Sequence, residues 1–274
     1  MTKNIKNEVL LEAKSLYKIY TQTSGFFVRK QRMIKALNNV SLSIKKGETL
    51  AIVGESGSGK STLARCLLQL QALDQGQLFF KGKNLISLDG KDKKHLKRQI
   101  QMVFQDPYAS LNPRMKIGEI LEEGLLIHAL GNKNERIKKI RDMIKKVGLE
   151  VPDLAKYPHQ FSGGQRQRIG IARALIVEPE LVICDEPVSA LDVSIQAQIL
   201  LLLKELQKEF QLSYLFISHD LRVVRHMANK IVVMHQGKIV EEGNIEEIYE
   251  KPKEIYTREL LNAIPGHHFK FKVS

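Results

Sequence analysis

The chain has 274 residues, 43% of them hydrophobic, so it can bury a sizeable core and a mainly disordered chain is excluded. Only 6% of the residues are aromatic and none is tryptophan, which argues against a surface built to stack nucleic-acid bases. The formal net charge of +13 suits phosphate ligands, an anionic membrane surface or nucleic acid, with plain solubility as the alternative.

Much of the positive charge lies in two helix-like stretches, residues 91–98 and 133–146. In the second stretch Ile137, Ile140 and Ile144 fall on one helical face, and the basic residues lie mostly elsewhere. The pattern therefore predicts the solvated faces of amphipathic helices, and no nucleic-acid partner is expected.

The two cysteines, Cys66 and Cys184, each lie inside an apolar segment, which does not favour a disulfide framework. The longest apolar run, residues 199–203, has five residues, whereas a membrane-spanning helix needs about twenty. The polar start MTKNIKNE is unlike a signal peptide. These features predict a soluble protein of a reducing compartment with at most peripheral membrane contact.

Residues 9–50 alternate short apolar runs with polar turns, which predicts antiparallel strands. A polar, basic surface loop is expected over residues 21–33. Tyr20 precedes that loop, where an aromatic ring can stack on an adenine; ordinary strand packing is the alternative.

A short apolar run, residues 50–53, leads into a glycine-rich segment followed by a predicted helix over about 61–70. Glycines let consecutive backbone N–H groups point at phosphate oxygens, a lysine adds a point charge, and a serine offers a hydroxyl to Mg²⁺. A glycine-rich turn without a ligand is the alternative, but the order of residue types indicates a P-loop that binds a nucleoside triphosphate. Its residues are Gly54, Glu55, Ser56, Gly57, Ser58, Gly59, Lys60, Ser61 and Thr62.

After the P-loop helix, residues 76–85 return to strand-like alternation, and an apolar strand is predicted over 99–104. Gln105 ends this strand and is placed to contact a metal or a water near the phosphates. A polar strand terminus with a purely structural role is the alternative.

Residues 117–147 have helical periodicity without a strand signal, which predicts a helical insertion. Small residues then open another helix that runs to about residue 177, and its N-terminus is a second anion-binding site. Because one chain has a single P-loop, this site is expected to serve another subunit's nucleotide. The residues concerned are Ser162, Gly163, Gly164 and Gln165.

The apolar run 181–184 ends in two carboxylates, Asp185 and Glu186. Asp185 is placed to hold the Mg²⁺ shell, and Glu186 to orient and deprotonate an attacking water. A solubilising strand cap is the alternative. Asp192 then leads into a long helix over about 195–210.

A buried strand over residues 212–217 leads to His219, which can donate a hydrogen bond to the γ-phosphate or cap the next helix. A hairpin with its turn at Gln236 and Gly237 is predicted next. A helical tail follows, and the basic end, residues 267–274, is expected to fray.

Over residues 9–265 these motifs, in this order, resemble the ATP-binding subunits of ABC transporters. Phe161 replaces the commoner leucine before SGGQ; no other motif position departs. The resemblance implies a single α/β domain with a P-loop NTPase (RecA-like) core, an antiparallel β subdomain and an inserted α-helical subdomain. The implied ranges are 9–110 and 166–250 for the core with its β subdomain, 111–165 for the helical subdomain, and 251–274 for the tail.

The resemblance also implies a role for each motif, with ATP and Mg²⁺ as cofactors. It implies that Tyr20 stacks on adenine, that the P-loop residues, Ser162 to Gln165 and Asp192 contact nucleotide, and that Ser61, Gln105 and Asp185 serve the metal. The resemblance assigns catalysis to Glu186, His219 and Gln105.

The segment QDPYASLNPRM and the tail IYTRELLNAIP are similar to the peptide and nickel importer branch. This branch implies a second, different ATPase subunit, two integral membrane permeases, an external substrate-binding protein, and a peripheral place on the cytoplasmic face of the membrane. No cysteine follows Cys184, so the iron–sulfur centre of some relatives is not expected. Peptide import is the favoured hypothesis. Nickel or metal-chelate import is the alternative, and a soluble ABC-type ATPase is the distant one, disfavoured by the absence of a second ATPase domain.

Overall fold

The computed structural model describes residues 8–24 and 30–264, which fall into two compact units. The first unit comprises the described residues up to 87 together with those from 215 onward, and the second is Leu88–Tyr214. The basic end over residues 267–274 lies outside the described residues.

The described residues form ten strands and nine α-helices. In chain order, the strands are β1 (Val9–Ser24), β2 (Lys30–Lys45), β3 (Thr49–Val53), β4 (Gln75–Phe80), β5 (Lys83–Asn84), β6 (Ile100–Val103), β7 (Leu181–Asp185), β8 (Ser213–Ile217), β9 (Lys230–His235) and β10 (Lys238–Asn244). The helices are α1 (Lys60–Leu67), α2 (Gly90–Gln99), α3 (Ile117–Ile127), α4 (Lys133–Lys146), α5 (Gly163–Leu175), α6 (Val193–Phe210), α7 (Leu221–Met227), α8 (Ile245–Glu250) and α9 (Ile255–Asn262).

In the first unit, an antiparallel sheet has the strand order β2-β1-β4-β5, as the alternating pattern predicts. The loop expected over residues 21–33 is wrong in its extent, because the β1–β2 ladder continues from Thr21 paired with Met33 to Ser24 paired with Lys30. Backbone ladder bonds do not need apolar side chains, so a polar ribbon is invisible to hydrophobic periodicity. Residues 25–29 lie outside the described part of the chain.

The first unit also holds the P-loop strand β3, all five residues of which are buried. β3 runs parallel to β9, with Leu50 opposite Lys230 and Val53 opposite Val233. A strand with both faces covered is apolar throughout, which explains the unbroken run before the glycines. The predicted hairpin is confirmed: β9 and β10 are antiparallel, and Gln236 and Gly237 both have positive φ at the turn.

In the second unit, β6 and β7 are parallel neighbours, with Val103 opposite Cys184. The predicted strand over 99–104 is shorter than expected, because Gln99 is the last residue of α2 and the Ile100 N–H still bonds to Leu96 O. The helical insertion is confirmed by α3 and α4. Helix α4 buries Ile140 and Ile144, as its amphipathic pattern predicts, whereas Ile137, expected on the same face, is 37% exposed.

Both cysteines are free and buried. Burial raises the pKa of the Cys66 thiol to about 11 and also raises that of Cys184, so both remain protonated thiols. Of the helices within residues 8–24 and 30–264, none is long and apolar enough to cross a membrane.

Two glycines of the first unit allow the effect of a steric clash to be separated from the effect of backbone strain. Gly47 and Gly237 have nearly equal φ values, +73° and +77°. A Cβ at Gly47 meets nothing within 4 Å, whereas one at Gly237 lies 2.5 Å from Lys35 O. We expect Gly47→Ala to lower the free energy of unfolding by about 1 kcal/mol and Gly237→Ala by about 3 kcal/mol or more, because only the latter adds a clash. Urea unfolding followed by circular dichroism measures both; equal losses would contradict the packing argument.

Candidate functional site

The P-loop of the first unit starts where β3 ends, and its glycines are required by close backbone contacts. Gly54 has a φ of 148° and Gly59 a φ of 107°. A Cβ at Gly54 would lie 2.2 Å from Met234 O, and one at Gly59 would lie 2.3 Å from Ala36 O. No other residue type fits either position without moving the backbone that surrounds the loop.

Lys60, the first residue of α1, is enclosed by the loop that precedes it. The residue is only 5% exposed, and its Nζ donates to Gly54 O and to Glu55 O, each at 2.7 Å. Helix α1 begins with the bond from Leu63 N to Gly59 O. The loop therefore places an ammonium beside the positive end of a helix, an arrangement that attracts phosphate oxygens.

The remaining P-loop residues differ in their exposure to solvent. Glu55, Ser56 and Gly57 are exposed on the loop, and Ser61 and Thr62 are half-buried in the first turn of α1. The buried Ser58 Oγ has no hydrogen-bond partner among the described residues. A buried, unsatisfied hydroxyl next to a backbone turn and an ammonium fits a phosphate-bearing ligand, which would supply the missing acceptor.

Tyr20 lies on β1 opposite Ile34, and its ring is half-buried. The Nζ of Lys18 lies 5.8 Å from the centre of the ring, so a cation already faces the aromatic surface. The adenine-stacking role stays a prediction.

His219 follows β8 and is exposed. Ser218 N donates to Ile52 O at 3.2 Å, so this strand end lies beside the P-loop strand. The N-cap of α7 is Asp220, whose side chain accepts from Arg222 N. The alternative of a helix-capping histidine is therefore wrong, and the phosphate role stays a prediction.

In the second unit, β7 ends at the buried Asp185, and the half-buried Glu186 follows it. Glu186 has a φ of +47°, in the left-handed region that non-glycine residues rarely adopt. Its carbonyl accepts from Ser189 N at 3.2 Å and from Ser189 Oγ at 3.1 Å, which holds the turn. Eight other non-glycine residues of the described chain also have positive φ, so this angle does not decide between a catalytic carboxylate and a solubilising cap. The roles of Asp185 and Glu186 stay predictions.

Gln105 and Glu186 lie together, as expected for residues that follow neighbouring parallel strands. Gln105 Nε2 donates to Glu186 Oε2 at 3.3 Å. This contact joins two of the three predicted catalytic residues, and both side chains remain accessible to solvent.

The signature segment forms the N-terminus of α5 through a capping box. Ser162 Oγ accepts from Gln165 N at 3.3 Å, and Gln165 Oε1 accepts from Ser162 N at 3.0 Å. A Cβ at Gly164 would lie 2.5 Å from Ile195 Cγ2, so a glycine is needed there. Asp192 is exposed at the start of α6 without a side-chain cap bond.

One residue at the P-loop is not predicted from the sequence to be part of the site. The hydroxyl oxygen of Tyr256 in α9 accepts a hydrogen bond from the Glu55 backbone N–H at 3.1 Å. The segment IYTRELLNAIP indicates only an importer branch, and no local pattern connects residues that are 201 positions apart.

Comparisons with known proteins place these features in a family. Residues 37–189 match the family model described as ABC transporter. The chain is 50% identical over 266 residues to the dipeptide transport ATP-binding protein DppF of Haemophilus influenzae, covering 97% of this chain and 81% of that protein. It is 51% identical over 259 residues to the oligopeptide transport ATP-binding protein AppF of Bacillus subtilis, covering 94% and 79%.

Solved structures of ABC cassettes are also similar to this chain. The ATP-binding cassette MJ0796, solved as a dimer in a post-hydrolysis state bound to ADP and Pi, superposes with a TM-score of 0.75 and is 32% identical; the match covers 86% of this chain and 99% of that one. The cbiO1 protein of Clostridium perfringens, part of the ABC transporter complex cbiONQ, has a TM-score of 0.75 and 28% identity, with 94% and 97% covered.

The comparisons confirm the fold class, an ATPase cassette with a P-loop core and an antiparallel subdomain. The protein binds and hydrolyses ATP, and its hydrolysis is coupled to transport. The chain belongs to the ABC transporter family, as one of its ATP-hydrolysing subunits.

Proposed function

We propose that this chain energises the import of dipeptides or oligopeptides across the cytoplasmic membrane. The observation that carries the proposal is the identity of about half of its residues, over more than nine-tenths of its length, to proteins named for dipeptide and oligopeptide transport. The tail that resembles this importer branch supports it as well.

In the proposed cycle, the P-loop residues hold the phosphates and Tyr20 holds the adenine. Lys60 contributes charge to the β- and γ-phosphates. When bound, ATP supplies the bond whose cleavage drives the cycle, and Mg²⁺ supplies positive charge against the phosphate oxygens. The proposed Mg²⁺ residues are Ser61, Gln105 and Asp185, all with oxygen donors of the kind this ion prefers.

We assign hydrolysis to Glu186, Gln105 and His219. Glu186 orients the attacking water and accepts its proton, and the Gln105 amide holds the carboxylate in place through their hydrogen bond. His219 donates a hydrogen bond to the γ-phosphate. The backbone of Glu186 is held by two hydrogen bonds from Ser189 and its carboxylate by the bond from Gln105, which supports this role.

We propose that the chain works as one of two ATPase subunits that meet head to tail, the other being a different ATPase. Ser162, Gly163, Gly164, Gln165 and Asp192 would then face the partner's ATP. A related cassette was solved as a dimer, which supports pairing. Two integral membrane permeases and an external substrate-binding protein complete the proposed importer, and the chain lies peripherally on the cytoplasmic face of the membrane.

The proposed subdomains of this ATPase are a core with its β subdomain over residues 9–110 and 166–250, a helical subdomain over 111–165 that carries the signature, and an importer-type tail over 251–274. Residues 265–274 of the tail lie outside the described part of the chain.

Replacing the proposed base separates hydrolysis from binding. We expect Glu186→Gln to lower ATP turnover by about 100-fold or more, because the amide cannot accept a proton from water, and to leave the ATP dissociation constant within about twofold. Phosphate release and calorimetry measure the two quantities.

The matched control is Glu205→Gln, which removes one carboxylate from the exposed face of α6. It should change neither turnover nor affinity. Turnover by the Glu186 variant at the parent rate would show that the base is assigned to the wrong residue.

Uptake in cells identifies the cargo. In cells whose only change is Glu186→Gln, we expect labelled dipeptide or a longer labelled peptide to stop entering while nickel still enters, because the ATPase step that drives peptide import is stalled. The peptide length that is affected narrows the substrate class. Loss of nickel entry alone would replace peptide import by metal import, and normal entry of all three substrates would overturn the proposal.

A further inference from the structure

The C-terminal segment of the first unit contacts the P-loop backbone at two positions. The Glu55 N–H donates to the Tyr256 hydroxyl oxygen at 3.1 Å, and the Gly237 N–H donates to Ser58 O at 3.0 Å. Tyr256 lies in α9 and Gly237 in the β9–β10 turn. The P-loop is therefore held at its second and fifth residues by elements that follow it by about two hundred positions.

The Glu55 residue connects Tyr256 to the phosphate-binding lysine. Its N–H bonds to Tyr256, while the Glu55 carbonyl oxygen accepts from Lys60 Nζ at 2.7 Å. The Glu55 N–H belongs to the same planar peptide unit as the Gly54 carbonyl, which also accepts from Lys60 Nζ at 2.7 Å. A rotation of this peptide unit would take the Gly54 acceptor away from the Lys60 ammonium, and the Tyr256 hydroxyl opposes that rotation because it accepts the N–H of the same unit.

Helix α9, which carries Tyr256, is held in place by contacts with β9 and β10. The carboxylate of Glu241, which is 8% exposed, accepts from Lys253 N at 2.8 Å and from Glu254 N at 3.2 Å at the start of α9. The ring of His235, at the end of β9, lies 3.9 Å from the Tyr256 ring centre to centre. Thr257 and Leu261 anchor the buried face of the helix.

The Tyr256 hydroxyl is suited to accept this bond in its neutral form. Burial raises the pKa of the Tyr256 phenol, so it carries no charge near neutral pH and would not repel phosphates. Its side chain is half-buried, and only its tip reaches the loop.

We propose that Tyr256 is a positioning residue for ATP binding, acting through Glu55 on the Lys60 ammonium. This inference rests on the proposed role of the P-loop in holding the phosphates. Tyr256 contributes to affinity by keeping the loop in its phosphate-binding shape before the nucleotide arrives. The competing explanation is that Tyr256 only packs α9 onto the β9–β10 hairpin.

The test compares Tyr256→Phe with Thr257→Val in the purified full chain. The first variant removes one hydroxyl and keeps the ring in contact with His235. The second is a matched change in the same helix: Thr257 is 1% exposed, and its Oγ1 has no hydrogen-bond partner among the described residues. It therefore reports on α9 packing without touching the loop.

We expect Tyr256→Phe to raise the dissociation constants of ATP and ADP by about threefold to tenfold, the range of one lost hydrogen bond, and Thr257→Val to leave both within about twofold. In inside-out membrane vesicles carrying the assembled transporter, KM for ATP should rise with Tyr256→Phe while kcat stays within about twofold, because chemistry at Glu186 is untouched. An unchanged dissociation constant, or equal increases in both variants, would overturn the inference.

Amide hydrogen exchange at Glu55 gives a direct second reading. Protection of this N–H should fall in Tyr256→Phe and persist in Thr257→Val, and equal protection in both variants would overturn the contact itself.

ATP binding by Lys60→Ala distinguishes a failure of the positioning role of Tyr256 from a failure of the proposed role of the P-loop. If this substitution weakens ATP binding while Tyr256→Phe does not, only the positioning role fails; if neither does, the proposed role of the P-loop fails too.

Discussion

The site depends on how the Lys60 ammonium is accommodated. A cation that is 5% exposed loses most of its hydration, a cost of several kcal/mol unless polar groups replace the water. The carbonyl oxygens of Gly54 and Glu55 do so at 2.7 Å, but they reach the ammonium only if the loop folds back over α1. That fold requires the positive φ of Gly54 and Gly59 and lets neither carry a side chain. The glycine spacing of the motif therefore follows from burying one charge, and an arriving phosphate adds a further counter-charge at the same place.

In the second unit, hydrogen bonds likewise compensate for an unfavourable state, here the backbone conformation of Glu186. Glu186 keeps a backbone conformation that costs about 1 kcal/mol or more, offset by two hydrogen bonds from Ser189 to its carbonyl. The carboxylate of this residue accepts a hydrogen bond from the Gln105 amide. A flexible acid on an unstrained strand end would lose entropy each time it aligned with a water. In the proposed cycle, the hydrogen bond from Gln105 would restrict the carboxylate before a water arrives.

The residues differ in how far their positions could be predicted from sequence. The P-loop, the buried strands and the amphipathic helix α4 follow from local spacing, because burial on one or two faces imposes a period on the chain. The polar half of the β1–β2 ribbon does not follow, since ladder bonds such as that between Thr21 and Met33 leave no hydrophobic pattern. The cap of α7 is also ambiguous in the sequence: His219 and Asp220 are adjacent and both can accept an N–H, so only the geometry distinguishes them. The bond between Tyr256 and Glu55 lies beyond any local rule, because tertiary packing alone brings the two together.

The contact between Tyr256 and Glu55 illustrates why stability and binding need not follow the same interactions. Both groups reach solvent, so water can replace the bond when the chain unfolds, and its contribution to the unfolding free energy is at most about 1 kcal/mol. ATP binding uses a different reference state, the folded protein without nucleotide. In that state the bond removes loop conformations in which the Gly54 carbonyl, part of the same peptide unit as the Glu55 N–H, points away from Lys60, so less entropy remains to be lost when phosphate binds. A single weak hydrogen bond therefore acts mainly on nucleotide affinity, since it restricts the segment whose shape the nucleotide requires.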